Sequence, residues 1–224
     1  MEYILDTADI ESIRHCNEYY PIAGVTTNPS IIAKENRPFW DIVNEIRSII
    51  GPYKLFFAQT VQTKAEKIVE EALLMNEKSG GEFCVKIPIS EEGIKATMEL
   101  KKRGVKVLVT AIFTPAQALI AAKAGADYVA PYVNRLDNII ADGCEVVARI
   151  VEQFKTYDLP CKVLAASFKN AEQVHKCAVA GCHCVTVTDD VLKNVISYPM
   201  TDAAIDGFEE DWKNVYGDKT ILDF

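Results

Sequence analysis

A lysine set inside an apolar run is the residue whose placement first implies chemistry. The stretch Phe83-Cys84-Val85-Lys86-Ile87-Pro88-Ile89-Ser90 reads as a short buried strand with one cation in it. A strand covered on both faces is a near-continuous Val/Ile run, and lysine is almost never fully buried unless paired. Lysine ordinarily titrates near about 10.4, so holding it neutral near pH 7 costs roughly 4–5 kcal/mol. A desolvated, neutral lysine attacks carbonyls and forms an imine. The competing reading is structural: Lys86 snorkels to the surface or pairs with a carboxylate.

Hydrogen-bonding side chains close the other strand-like runs as well. In order they are Asp6, Thr26 and Asn28, Gln59, Thr110, Tyr132 with Asn134 and Arg135, and Ser167. One such residue is an ordinary strand terminus. A ring of them facing inward would cost a few kcal/mol of desolvation or more, unless they served one another or a ligand. These positions are therefore expected to share one polar pocket with Lys86. The triplet Cys182-His183-Cys184 has metal-binding residue types but lacks a second ligand pair at finger-like spacing. Neither a metal nor any other cofactor is expected.

The elements that must position these groups alternate from end to end. Strand-like runs fall at 3–6, 24–29, 55–60, 83–90, 105–113, 128–133, 163–168 and 184–187. Helical segments follow the first strand up to Pro21, then occupy 39–50, 64–78, 91–103, 115–124, 137–157 and 170–180, with a short one around 191–195. The 39–50 segment shows the helical spacing plainly, with apolar residues at Phe39, Ile42, Val43, Ile46 and Ile49. Eight strands, each followed by a helix across a short turn, is the arithmetic of a (β/α)8 TIM barrel of the α/β class. An open doubly wound sheet is the alternative, but the first turn carries no glycine-rich dinucleotide fingerprint. In the barrel fold, catalytic groups sit where the strands run into the following loops. A further helix at 203–216, with Ile205, Phe208, Trp212 and Val215 on one stripe, is surplus to the barrel.

Length and composition narrow the rest. One uninterrupted pattern over 224 residues predicts a single catalytic domain, 1–224, with 203–216 appended. A formal charge of −8 argues against a nucleic-acid partner. No apolar run approaches the ~18 residues of a membrane span, and Met1-Glu2-Tyr3-Ile4 opens a strand rather than a signal peptide. The seven cysteines are odd in number, and Cys16, Cys84, Cys144 and Cys177 sit in apolar elements. That usage suits free thiols in a reducing cytoplasm.

Five motifs together resemble the small transaldolase-like family, and most closely its fructose-6-phosphate aldolase branch. They are Leu5-Asp6-Thr7, Gly24-Val25-Thr26-Thr27-Asn28-Pro29-Ser30, Val85-Lys86-Ile87-Pro88, Ala130-Pro131-Tyr132-Val133-Asn134-Arg135 and Ala165-Ala166-Ser167-Phe168-Lys169. The resemblance runs over essentially the whole chain, to Ile196-Ser197-Tyr198-Pro199 and the last helix. It implies a metal-free class I aldolase on a (β/α)8 barrel, with Lys86 as the Schiff-base lysine of the fourth strand. It further implies that Asp6 serves substrate hydroxyls and the protons near the imine, while Thr26 and Asn28 hold substrate hydroxyls. Thr110 and Gln59 would position a water, Tyr132 would be the acid/base, and Arg135 and Ser167 would grip a substrate phosphate. Transaldolases of the family resemble one another in having glutamate at the position of Gln59 and phenylalanine at that of Tyr132. The glutamine and tyrosine found here match the aldolase branch.

The resemblance thus implies reversible cleavage of fructose 6-phosphate to dihydroxyacetone and glyceraldehyde 3-phosphate. The alternatives are a transaldolase passing a dihydroxyacetone unit between sugar phosphates in the pentose phosphate pathway, and a sugar-phosphate-binding barrel without turnover. Family members form rings of five, often stacked as decamers, so the resemblance also implies a homo-oligomer joined through the last helix.

Overall fold

Short strands that are apolar on both faces need cover on both sides, and the helices following them supply it on the outside. A computed structural model describes residues 1–224. Its strands are β1 (Glu2–Asp6), β2 (Ile22–Thr26), β3 (Leu55–Gln59), β4 (Phe83–Pro88), β5 (Val107–Ile112), β6 (Tyr128–Pro131), β7 (Lys162–Ala165) and β8 (Cys184–Val187). They pair in parallel in chain order, and β8 closes on β1, with Tyr3 opposite Val185 and Leu5 opposite Val187. The chain is a (β/α)8 barrel, as its alternating pattern implied.

The helices are α1 (Ile10–Tyr19), α2 (Pro29–Lys34), α3 (Phe39–Ile50), α4 (Ala65–Lys78), α5 (Glu91–Lys102), α6 (Pro115–Lys123), α7 (Val133–Asp137), α8 (Gly143–Thr156), α9 (Ala171–Val179), α10 (Asp189–Ile196) and α11 (Pro199–Tyr216). Asp9, Asn28, Ser90, Thr114, Asp142 and Asn170 each accept a backbone N–H in the first turn of the helix they precede. The outer core lies between the barrel and these helices, with Ile42, Ile46, Leu100, Ile150 and Val163 fully enclosed.

Inside the barrel, Ile4, Phe57, Cys84, Leu108, Tyr128, Leu164 and Cys184 form a separate apolar plug. Side chains alternate along a strand, so the residues two further on face the same way. Those residues are Asp6, Gln59, Lys86, Thr110, Ala130, Ala166 and Thr186. The barrel interior therefore turns from apolar to mostly polar within one strand repeat, and the polar layer is the one at the C-terminal ends.

Several boundaries differ from the sequence pattern: β2 covers 22–26 rather than 24–29, β4 ends at Pro88 rather than 90, and β5 covers 107–112 rather than 105–113. β6 stops at Pro131 rather than 133, because the chain turns helical at Val133; Tyr132 retains one isolated bridge to Ala166. β7 stops at Ala165 rather than 168, and the chain turns through a left-handed Ser167 (φ 64°). The helix expected over 137–157 is two helices, α7 and α8, broken at 138–142. Gly143 is needed at that break, since a Cβ there would lie 2.4 Å from the Val133 carbonyl oxygen. Finally, α11 starts at Pro199, and the six-residue α2 was not anticipated.

Candidate active site

Lys86 sits on the last half of β4 and is 5 % exposed. Its Nζ donates to the Thr27 carbonyl oxygen at 2.8 Å. That carbonyl is presented by the turn after β2, where Thr27 is pinned through its own N–H and hydroxyl to the Phe57 carbonyl oxygen (2.8 and 3.2 Å). β2 and β3 lie close enough for this only because residue 24 is glycine; a Cβ there would fall 2.1 Å from the Leu55 carbonyl oxygen. Burial pushes the Lys86 ammonium below its ordinary value of 10.5, and the nearby Asp6 carboxylate pulls part of the way back. The structural reading of Lys86 does not hold, since it neither reaches the surface nor forms an ion pair within 4 Å.

Lys86 lines a cavity of about 690 Å³ at the C-terminal mouth of the barrel, together with Asp6, Asn28, Gln59, Tyr132, Arg135 and Ser167. Gln59 is brought beside it by register, since β3 and β4 pair Gln59 with Lys86. On the other side, Thr26 donates to Asp6 Oδ1 at 2.6 Å and shares a second 2.6 Å hydrogen bond with Thr186. A hydroxyl has one proton. With Thr26's proton on Asp6, Thr186 must be the donor in the second contact.

Thr110 and Tyr132 share a hydrogen bond of 3.1 Å between their hydroxyls. Thr110 reaches inward across an irregularity in the β5–β6 register, where Ala111 is left-handed (φ 60°). The Tyr132 ring is held edge-on by Phe113 (5.6 Å) and faced by the Arg135 guanidinium, 4.9 Å from its centroid. Arg135 forms no ion pair, so its donors remain available to an anion at the cavity rim. Asn28 does double duty: its Oδ1 caps α2 by accepting from the Ile31 N–H at 3.0 Å, and it lines the cavity.

Asn134 lies elsewhere. It does not line the cavity; its Oδ1 accepts from Gln173 Nε2 at 3.3 Å, towards α9. Thr26 and Thr110 do not line it either, and reach it through Asp6 and Tyr132. Conversely, Thr186, Thr188, Lys169 and Lys34 line the cavity and were not singled out from the sequence. Thr186 and Thr188 could have been found by counting inward in twos from Cys184. The Cys182-His183-Cys184 triplet lies at the opposite end and is internally occupied. His183 Nδ1 accepts from the Val163 N–H (3.1 Å), and Cys182 Sγ lies 3.0 Å from the Cys184 carbonyl oxygen.

A sequence model of the family described as Transaldolase/Fructose-6-phosphate aldolase matches residues 3–219. The chain belongs to that family. The match takes in every strand, save Glu2 at the start of β1, and every cavity residue from Asp6 to Thr188. Among solved structures, a thiamine phosphate pyrophosphorylase from Pyrococcus furiosus superposes with a TM-score of 0.59 at 19 % identity, over 83 % of this chain and 84 % of its own. A flavocytochrome b2 double mutant with sulfite bound superposes at 0.61 and 13 % identity, over 84 % of this chain and 56 % of that one. A flavocytochrome b2 mutant with pyruvate bound gives 0.62 at 14 % identity, over 84 % and 57 %. At such identities the likeness is one of barrel architecture alone.

Proposed function

We propose that the protein is a class I aldolase that cleaves fructose 6-phosphate to dihydroxyacetone and glyceraldehyde 3-phosphate through an imine on Lys86. The observation that carries the reading is a lysine with a depressed pKa at the base of a polar cavity, flanked by Gln59 and faced by a Tyr132 phenol. The neutral amine adds to the C2 carbonyl, and loss of water gives the imine. Once protonated, the imine accepts the electron pair of the C3–C4 bond as the C4 hydroxyl loses its proton, leaving an enamine and releasing glyceraldehyde 3-phosphate. Protonation at C3 and hydrolysis then free dihydroxyacetone and Lys86. Tyr132 is suited to the proton transfers, directly or through one water, while Gln59 can orient a water but cannot take its proton. Asp6, held by Thr26, is placed for the substrate hydroxyls. No step calls on a metal.

Incubation with fructose 6-phosphate, with and without erythrose 4-phosphate, tests the reading. Glyceraldehyde 3-phosphate is expected without an acceptor; release that requires erythrose 4-phosphate would make the protein a transaldolase, and the absence of any borohydride-trapped adduct would make it a binding protein.

Arg135 and Ser167 are proposed to hold the phosphate. A guanidinium and a hydroxyl suit its oxygens, and Lys169 adds a second cation at the same rim. Arg135→Ala is expected to raise KM for fructose 6-phosphate about tenfold or more while leaving imine formation with free dihydroxyacetone nearly unchanged. Equal losses for the phosphorylated and unphosphorylated ketones would show that Arg135 matters through its stacking on Tyr132.

The last helix supports a homo-oligomer. None of the eighteen residues of α11 is buried, and Phe208 and Val215 are 73 % and 71 % exposed on the apolar stripe. Soluble monomers rarely leave such a stripe uncovered. We propose that it packs on a neighbouring copy, in a ring of five or a pair of such rings. Deleting residues 199–224 is expected to yield smaller or insoluble species, whereas sedimentation of the full chain as a monomer would overturn the assembly. No helix is long and apolar enough to cross a membrane. The seven unbridged cysteines suit a reducing compartment, and we propose the cytoplasm.

A further inference from the structure

Gln173 is a buried polar residue on the first turn of α9, and both ends of its amide are hydrogen-bonded. Nε2 donates to Asp137 Oδ2 at 2.6 Å and to Asn134 Oδ1 at 3.3 Å, both on α7. Oε1 accepts from the Lys169 backbone N–H at 2.8 Å. Both donor hydrogens and one lone pair of the oxygen are used, and all three bonds go to two neighbouring segments, α7 and the turn before α9. Those two segments carry the anion-facing groups of the cavity: Arg135 on α7, and Ser167 and Lys169 in the turn after β7. The same side chain holds both.

The partners are themselves fixed. Asp137 Oδ1 accepts from the Gly143 N–H at 2.8 Å, tying α7 to the start of α8. The Gln173 backbone N–H is capped by Asn170 Oδ1 at 2.9 Å, and its carbonyl lies 3.6 Å from Cys144 Sγ. Ser167, left-handed at φ 64°, adopts a conformation that a non-glycine residue rarely takes unless its surroundings hold it. Each Asp137 carboxylate oxygen thus has a partner, Oδ2 with Gln173 and Oδ1 with the Gly143 N–H.

We propose that Gln173 is a positioning residue that sets the spacing between Arg135 and the Ser167–Lys169 turn, and so tunes the cavity's affinity for a phosphate group. The inference rests on the phosphate role proposed for Arg135 and Ser167, and not on Lys86 chemistry. Remote support of this kind matters because a site that is loose by about an ångström loses much of what its contacts supply.

The test is titration calorimetry with glycerol 3-phosphate, which resembles the phosphorylated product but has no carbonyl, alongside steady-state kinetics on fructose 6-phosphate. Gln173→Leu keeps the bulk and removes the hydrogen bonds; glycerol 3-phosphate is expected to bind about tenfold more weakly, and KM to rise in step with kcat changed less than about twofold. Gln173→Glu should bind as weakly, since it sets a second carboxylate against Asp137. Combining Gln173→Glu with Asp137→Asn exchanges donor and acceptor, and is expected to recover most of the affinity. Unchanged binding in folded Gln173→Leu, or a double variant no better than Gln173→Glu alone, would overturn the proposal. Lys86→Met serves as the control: it should leave glycerol 3-phosphate binding intact, so a failure of the imine chemistry is read separately. Wild-type protein that does not bind glycerol 3-phosphate would overturn the phosphate reading together with this proposal.

Discussion

Lys86→Met is expected to abolish turnover and the borohydride-trapped adduct together. The substitution keeps an unbranched chain of similar bulk in a site that is 5 % exposed, and removes only the amine. Other lysines lie mainly on the outer helices, many with carboxylate partners, as Lys95 is with Glu66 at 2.6 Å. A trapped adduct persisting in Lys86→Met would therefore move the nucleophile elsewhere. The same pair of proteins should differ in how stability responds to pH. In the unfolded chain the lysine keeps its proton up to about 10.5, while burial makes the folded one shed it earlier. Between those two points the unfolded state binds more protons, so stability rises with pH. The wild type should gain stability relative to Lys86→Met as pH climbs from the folded value toward 10.5, measured by denaturant melts across that range. A gap that does not change with pH would mean that Lys86 titrates as an ordinary exposed lysine.

Lys86 was legible because a charge interrupts a run that is otherwise apolar, and the barrel was legible because strand and helix periods alternate eight times. The ring of strand ends followed from the fold once those strands were placed. Thr186 escaped because threonine between Val185 and Val187 is an ordinary strand former; only its inward register marks it. Asn134 falls outside the cavity for a different reason. Extending β6 to 133 treated its neighbours as a continuing strand end, but the chain turns helical at Val133. Successive helical residues are rotated by about 100°, so Arg135 faces the cavity while Asn134 faces α9. The break between α7 and α8 was hidden for a related reason: Ile139 and Ile140 continue the apolar spacing through the loop, yet both are exposed. Helix α2, in contrast, carried its own signal in Asn28-Pro29, a capping residue followed by proline at the first helical position.

Tyr132→Phe is expected to slow cleavage of fructose 6-phosphate by about 10²–10⁴-fold while imine formation stays detectable by trapping, the usual scale for loss of one acid/base group. The variant is conservative in every other respect. The ring keeps its edge contact with Phe113 at 5.6 Å and its place under Arg135 at 4.9 Å, and only the 3.1 Å hydrogen bond to Thr110 is lost. Loss of that bond alone is worth about 1 kcal/mol, which cannot account for a hundredfold effect. Gln59→Glu probes the same division of labour from the other side. A carboxylate there can take a proton from water, which the amide cannot, but register also sets it beside Lys86. Its charge would favour the protonated amine and so shift imine formation to higher pH. Combined with Tyr132→Phe, it restores the transaldolase pair. That double variant is expected to transfer its dihydroxyacetone unit to erythrose 4-phosphate better than it releases it to water. An unchanged cleavage rate in Tyr132→Phe would remove the phenol from proton transfer and leave it as a wall of the cavity.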